Sequence, residues 1–200
     1  MKKLIFFILS LPLTVMAERQ GEPHDFSKKL VVAALERTTH EVRYDGSYLR
    51  LDYPNGDVPD NIGVCTDVVV RVYRKLGIDL QKDVHEDMRG HFSVYPKKWG
   101  LKRTDKNIDH RRVPNLQTLF KRKGLALKVT DNAADYVAGD LVTWTVPPNL
   151  PHIGIVTDKR SADGQRPLIV HNIGAGTTLE DMLFSYPITG HYRYYGNWSH

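Results

Sequence analysis

At Gly124 the apolar period of this chain changes from helical to strand-like, and that switch confines the choice of fold. Before it, apolar residues recur at three- and four-residue intervals. Phe26, Leu30, Val31, Ala34 and Leu35 share one face of a helix predicted over 25–40, with Asp25 and Ser27 as cap residues. Val68, Val69, Val72, Tyr73 and Leu76 share a face of a second helix over 65–76, with Gly77 placed to end it. A third helix is predicted over 81–92. A short fourth, 114–123, opens on Pro114 and stops at Gly124. Beyond that point, 125–129, 140–146, 152–158, 167–172 and 189–195 read as strands separated by Gly, Pro and Asp turns. Segments 41–64 and 93–112 read as irregular. Helices first and antiparallel-type strands afterwards predict an α+β domain, with N-terminal helices packed on a C-terminal antiparallel sheet.

The first residues have the form of an export leader. Lys2 and Lys3 precede an apolar run from Leu4 to Val15, and Val15-Met16-Ala17 offers small residues for cleavage after Ala17. The run is short for a membrane span and no second one follows, so no stable anchor is expected after cleavage. The predicted organisation is a signal peptide, 1–17, and one domain, 18–200, in the periplasm or secreted, monomeric. Loss of the leader leaves 26 basic and 23 acidic residues, a net charge of +3 in place of +5. A mildly basic surface suits an anionic wall polymer and lacks the dense basic stripe of a nucleic-acid binder.

Cys65 is the only cysteine of the 200 residues, so no intrachain disulfide explains it. It stands in Gly63-Val64-Cys65-Thr66-Asp67, where a loop becomes a helix, and helix-terminal N–H groups lower a thiol pKa. Downstream, His152 in Pro-His-Ile-Gly-Ile-Val and His171 in Leu-Ile-Val-His-Asn occupy strand contexts. A thiol with distant histidines has the pattern of nucleophile, base and orienter, whereas a free cysteine elsewhere is commonly a buried small hydrophobe. As catalysts, Cys65 and His152 would form a thiolate–imidazolium pair, whose mark is rapid alkylation near pH 6; labelling at the rate of an ordinary thiol, or none, is expected of a chain that is not an enzyme. Asp67 opposes that pair by raising the thiol pKa unless a base answers it, and Arg71 at i,i+4 is placed to do so.

These residues carry a resemblance. Asn61-Ile62-Gly63-Val64-Cys65-Thr66-Asp67 resembles the nucleophile segment of NlpC/P60, a branch of papain-like cysteine peptidases, although Thr66-Asp67 replaces the usual Ser-Gly. Ala138-Gly139-Asp140-Leu141-Val142, His152-Ile153-Gly154-Ile155 and Ile169-Val170-His171-Asn172 follow in the family's order. Three further stretches, Val84–Met88, Asn107–Asn115 and Gly190–Arg193, are similar to the hallmarks of the exported DUF1287 group. The resemblance implies a papain-like fold and amide hydrolysis, with peptidoglycan stem peptides as substrate and no cofactor. It implies Cys65 as nucleophile, His152 as base and His171 as orienter, with Asn172 as the other choice for that third role. Tyr53 is placed like the tyrosine that lines this family's nucleophile pocket. A thiol hydrolase or acyltransferase on a lipid or non-wall peptide, and a wall-binding module without activity, stay open as alternatives.

Asp109-His110-Arg111-Arg112 mixes four charges before the fourth helix. It reads either as an arginine fork for a substrate carboxylate or as a salt-bridged loop in the cleft wall. His85-Glu86-Asp87 with Asp109-His110 lacks metal-ligand spacing, so no metal is called for. Gly190–Tyr195 reads as a sugar-stacking surface or as a last strand sending alternate residues into the core.

Overall fold

In the computed structural model, which describes residues 23–196, the helices come first and the sheet last. The leader expected at 1–17 lies outside the described residues. The helices are α1 (Pro23–Arg37), α2 (Cys65–Lys75), α3 (Leu80–Gly90) and α4 (Val113–Lys123). Between α1 and α2 the chain is less irregular than its composition implies. There β1 (Arg43–Tyr44) and β2 (Ile62–Gly63) form a short parallel pair, with Tyr44 opposite Gly63. Two residues per strand carry no period, so this pair is invisible in the sequence.

The sheet contains β3 (Leu125–Leu127), β4 (Leu141–Val146), β5 (Leu150–Arg160), β6 (Pro167–His171), β7 (Thr178–Glu180) and β8 (Ile188–Arg193). Their spatial order is β3-β8-β4-β5-β6-β7, and every neighbouring pair is antiparallel. The domain is thus α+β, as the change of period predicts. β7 is the strand that sequence reading omits, because three residues are too few to show alternation.

Both faces of the central strands are covered. Leu141, Ile153, Ile155 and Val170 join Val68, Val69 and Val72 of α2 in one core. Val142, Trp144, Val156 and Ile169 pack on the other face with Met182 and Leu183 of the 181–187 segment. β4 therefore reads as a nearly continuous apolar run.

A buried carboxylate fixes β8 against this framework. Asp140 accepts from His191 Nε2 at 2.6 Å, from Arg193 Nε at 2.5 Å and from the Val137 N–H at 3.0 Å. A carboxylate with that many donors is compensated for its burial. The Gly-Asp-Leu-Val turn and the Gly-His-Tyr-Arg strand are thus two halves of one structural knot. Tyr192 and Tyr194 are buried in the helix-facing core, so Gly190–Tyr195 is the core-filling strand and not a sugar platform.

Candidate active site

α2 begins at Cys65 with an N-cap residue, Val64, whose side chain offers no acceptor. Asp67 supplies what the cap lacks, since its Oδ2 accepts the Val64 N–H at 2.7 Å. The partner of Asp67 is Arg111, not Arg71. Arg111 donates from Nε to Asp67 Oδ1 and from Nη2 to Oδ2, both at 2.9 Å, with each side chain almost fully buried. It also donates to the carbonyls of Ser47 at 2.9 Å and Asp45 at 3.1 Å. Arg71 faces the other way, onto Asp57 Oδ2 at 3.0 Å and the Val58 and Pro59 carbonyls. The i,i+4 rule fails because a planar guanidinium 44 residues away matches both carboxylate oxygens with the two donors of one edge.

The Cys65 thiol is buried, and the backbone N–H groups of Ile153, Thr66 and Cys65 face its sulfur. Strand alternation sends Ile153 toward α2 and turns His152 to the side of Trp144, its neighbour across β4. His152 thus precedes the very peptide whose N–H meets the sulfur. His152 Nε2 lies 3.1 Å from His171 Nδ1, with the rings perpendicular. Beyond, His171 Nε2 stands 3.4 Å from Glu180 Oε2, an ion-pair contact without hydrogen-bond alignment. Among the described residues no hydrogen bond joins the thiol to either ring, and backbone N–H groups alone favour its ionised form.

Burial sets the protonation states. It pushes the Cys65 thiol up to about 12, with Asp67 adding to the rise and the N–H groups opposing it. It pushes the His152 imidazole down to about 3, helped by His171. The resting site is therefore thiol and neutral imidazole, a correction to the thiolate–imidazolium expectation. Alkylation of Cys65 near pH 6 is accordingly expected to be slow, so labelling of the resting thiol does not separate an inactive module from a nucleophile that ionises only as it attacks. A neutral His152 whose Nδ1 is the free acceptor carries its proton on Nε2, donated to His171 Nδ1. That leaves the His171 proton on Nε2, toward Glu180.

Gly154 lets the two histidines meet. A Cβ there would stand 2.6 Å from Ile169 Cγ2, 3.0 Å from the Val170 carbonyl oxygen and 3.2 Å from His171 Cβ. Gly154→Ala is expected to lose about 1–3 kcal/mol of stability by overpacking and to displace the His171 ring. Urea unfolding and the His171 imidazole NMR signals check it, and unchanged signals would contradict the argument.

A cleft of about 260 Å³ opens over the sulfur, lined by Tyr44, Trp99, Arg112, Pro114 and Pro151 beside Cys65. A model of the family described as "Domain of unknown function (DUF1287)" matches residues 31–194. The chain belongs to the DUF1287 family. It is 54% identical over 152 residues to the Escherichia coli (strain K12) protein named "Uncharacterized protein YijF", covering 76% of this chain and 74% of that protein. The DUF1287 match contains the whole cleft and every residue of the His152–His171–Glu180 series.

Within this DUF1287 chain the remaining expected site residues divide sharply. Tyr53 is away from the cleft, edge-on to His85 and 3.5 Å from Glu86 Oε1 through its hydroxyl. The tyrosine of the cleft is Tyr44, carried there by the β1–β2 pair, its phenol pKa raised by burial and by Cys65. Asn172 is a strut, donating to the Gly63 carbonyl at 3.4 Å and accepting from the Gly174 N–H. Of the 109–112 cluster, Asp109, His110 and Arg111 are buried, and Arg111 has its donors on Asp67 and two carbonyls, which leaves it no free edge as one arm of an arginine fork. Arg111 and Arg112 both line the cleft, and Arg112, 4.1 Å over the Trp99 ring, is the one whose guanidinium is not engaged by hydrogen bonds among the described residues. Glu180 was missed with its strand, β7.

The buried histidines make the fold acid-sensitive. Burial holds His110 down to about 3, as it does His152. Below the unfolded value of about 6.5 the unfolded chain gains protons that the folded one refuses, so stability falls as pH drops. Each histidine removes about 2 kcal/mol between pH 6.5 and 5. Asp109 works in the opposite sense, since burial raises its carboxyl to about 6 and the folded state binds its proton first, returning about 1 kcal/mol. Urea titrations are expected to give about 3 kcal/mol less stability at pH 5 than at 6.5. His110→Gln is expected to flatten that slope by about two-thirds; an unaltered slope would refute the assignment.

Proposed function

We propose that this protein is an exported thiol hydrolase of NlpC/P60, papain-like type that cleaves an amide bond in peptidoglycan stem peptides. One observation carries the reading: the only cysteine opens a buried helix under a cleft, facing the N–H of the residue after a histidine that is hydrogen-bonded to a second histidine. Helix-start thiol and strand-borne imidazoles in that order agree with the resemblance to this peptidase branch, and the leader-like 1–17 segment supports export.

In the proposed cycle, a substrate carbonyl enters the cleft and the sulfur leaves its backbone donors for the carbonyl carbon. His152 Nδ1 takes the thiol proton as the C–S bond forms, so charge separates only during attack. The N–H groups of Cys65 and Thr66, freed by the sulfur, face the developing oxyanion at the positive end of α2. His152 then gives its proton to the leaving amine as the C–N bond breaks. Water hydrolyses the thioester to a carboxylic acid and restores the thiol. His171 keeps the His152 Nε2 proton engaged throughout, and Glu180 backs the charge that the pair gains.

Incubation of purified protein with isolated sacculi, beside Cys65→Ala, tests the reading. Wild type is expected to release peptide fragments whose masses name the bond, and the variant none. Identical products from both, or none from either, would refute it.

A further inference from the structure

We infer that Arg112, held flat over Trp99 in the wall of the thiol cleft, binds a free carboxylate that the substrate carries close to its scissile amide. The inference rests on the amide-hydrolase reading and adds the chemistry that selects the substrate.

Two guanidiniums line the cleft, and they differ in what is left of them. Arg111 has its charge matched edge to edge by Asp67 and its remaining donors on two carbonyls. Among the described residues Arg112 makes no side-chain hydrogen bond. Its nearest carboxylate oxygen is Asp109 Oδ1, 3.7 Å from Nη1, beyond hydrogen-bond reach. Nη1 is buried without a partner, as is Asp109 Oδ1. The other carboxylate oxygen of Asp109 already takes the Asp105 N–H at 2.5 Å.

No carboxylate lines the cleft, and Tyr44, its other titratable wall, is a neutral phenol with a raised pKa. The cleft therefore offers one guanidinium whose charge meets Asp109 only at 3.7 Å and whose donors no hydrogen bond engages among the described residues. Stacking on Trp99 fixes the plane of that group, with the guanidinium carbon 4.1 Å from the ring centroid. An oriented guanidinium with free donors is built for two-point binding of a planar anion, and a carboxylate is the planar anion that peptides carry. Partial burial, with the Arg112 side chain 16% exposed, sharpens the preference, because a partly desolvated cation gains most from an anion and least from a neutral amide.

The test uses soluble peptides released from sacculi by a glycan-cleaving enzyme, divided into two pools. One pool is left with free carboxylates, and the other is converted to carboxamides with carbodiimide and ammonia. For the wild type, amidation is expected to lower kcat/KM by about 10–100-fold, mostly through KM, as loss of a charged hydrogen-bond pair does. Arg112→Gln is expected to act on both pools at one similar low rate, with Arg112→Lys restoring part of the preference and thermal unfolding unchanged in both variants. Equal cleavage of the two pools by wild type, or a preference that survives in Arg112→Gln, overturns the inference and leaves the hydrolase reading standing. Cleavage of neither pool overturns both.

Discussion

Arg111→Met is expected to destabilise the fold by about 3–5 kcal/mol, the largest effect of any single cleft-wall substitution, because it strands a buried carboxylate. Asp67 is 3% exposed, and Arg111 supplies both of its charged donors. The same guanidinium ties the Asp45 and Ser47 carbonyls of the 45–61 connection to the start of α2. Methionine retains much of the volume but none of these donors, so the loss is electrostatic and not a cavity. In a domain of this size the change corresponds to about 10 °C in Tm. Asp67→Asn in the Arg111→Met background is expected to recover part of it by removing the stranded charge, since the amide oxygen still accepts the Val64 N–H. Arg112→Met, beside it in sequence, is expected to cost under about 1 kcal/mol. Calorimetry of the three variants decides the matter: equal losses for Arg111→Met and Arg112→Met would contradict the buried counter-ion.

His152→Ala is expected to lower kcat on the peptide substrate by about 10³-fold while KM and the fold are retained, the loss typical of a general base. The proposed cycle gives this ring the thiol proton, and burial keeps it neutral down to acid pH while weakening it as a base, so the transfer is made only in concert with attack. His171→Ala removes the acceptor of the Nε2 proton 3.1 Å away and is expected to cost about 10²-fold, chiefly by letting the His152 ring turn. Glu180→Gln, on a half-exposed side chain, is expected to cost less than tenfold, roughly, because solvent screens it. Steady-state kinetics on defined peptides measure all three. A larger loss from Asn172→Ala than from His171→Ala would transfer the orienting role to the residue that here holds only the Gly63 carbonyl.

What the sequence discloses and what it conceals divide along physical lines. The helices and five of the six sheet strands are legible because each buries one face or both, leaving a period of 3.6, a period of 2 or an unbroken apolar run. Cys65, His152 and His171 are legible because a polar group inside such an element stands out against its neighbours. The misreadings all involve pairings between distant, unpatterned segments. Arg71 satisfies the local spacing rule for Asp67, yet Arg111 wins with two aligned bonds from a short 3₁₀ turn. Tyr53 stands at a plausible interval before Cys65, yet Tyr44 reaches the cleft through a strand pair of two residues. Glu180 lies on a three-residue edge strand whose register with β6 no local signal encodes. Burial of the thiol likewise depends on Ile153 and the rest of the sheet, so a helix start alone misjudged its protonation state.

The central claim is that Cys65 attacks an acyl group. Its most direct measurement is mass analysis of protein quenched in acid during turnover of the sacculus-derived peptides, followed by digestion with trypsin. The peptide 51–71, which carries Cys65 between Arg50 and Arg71, is expected to gain the mass of the acyl fragment in wild type, and less of it in His152→Ala, where attack itself is slowed. Fragments released at the wild-type rate by Cys65→Ala, with peptide 51–71 unmodified at every quench time, would contradict the account.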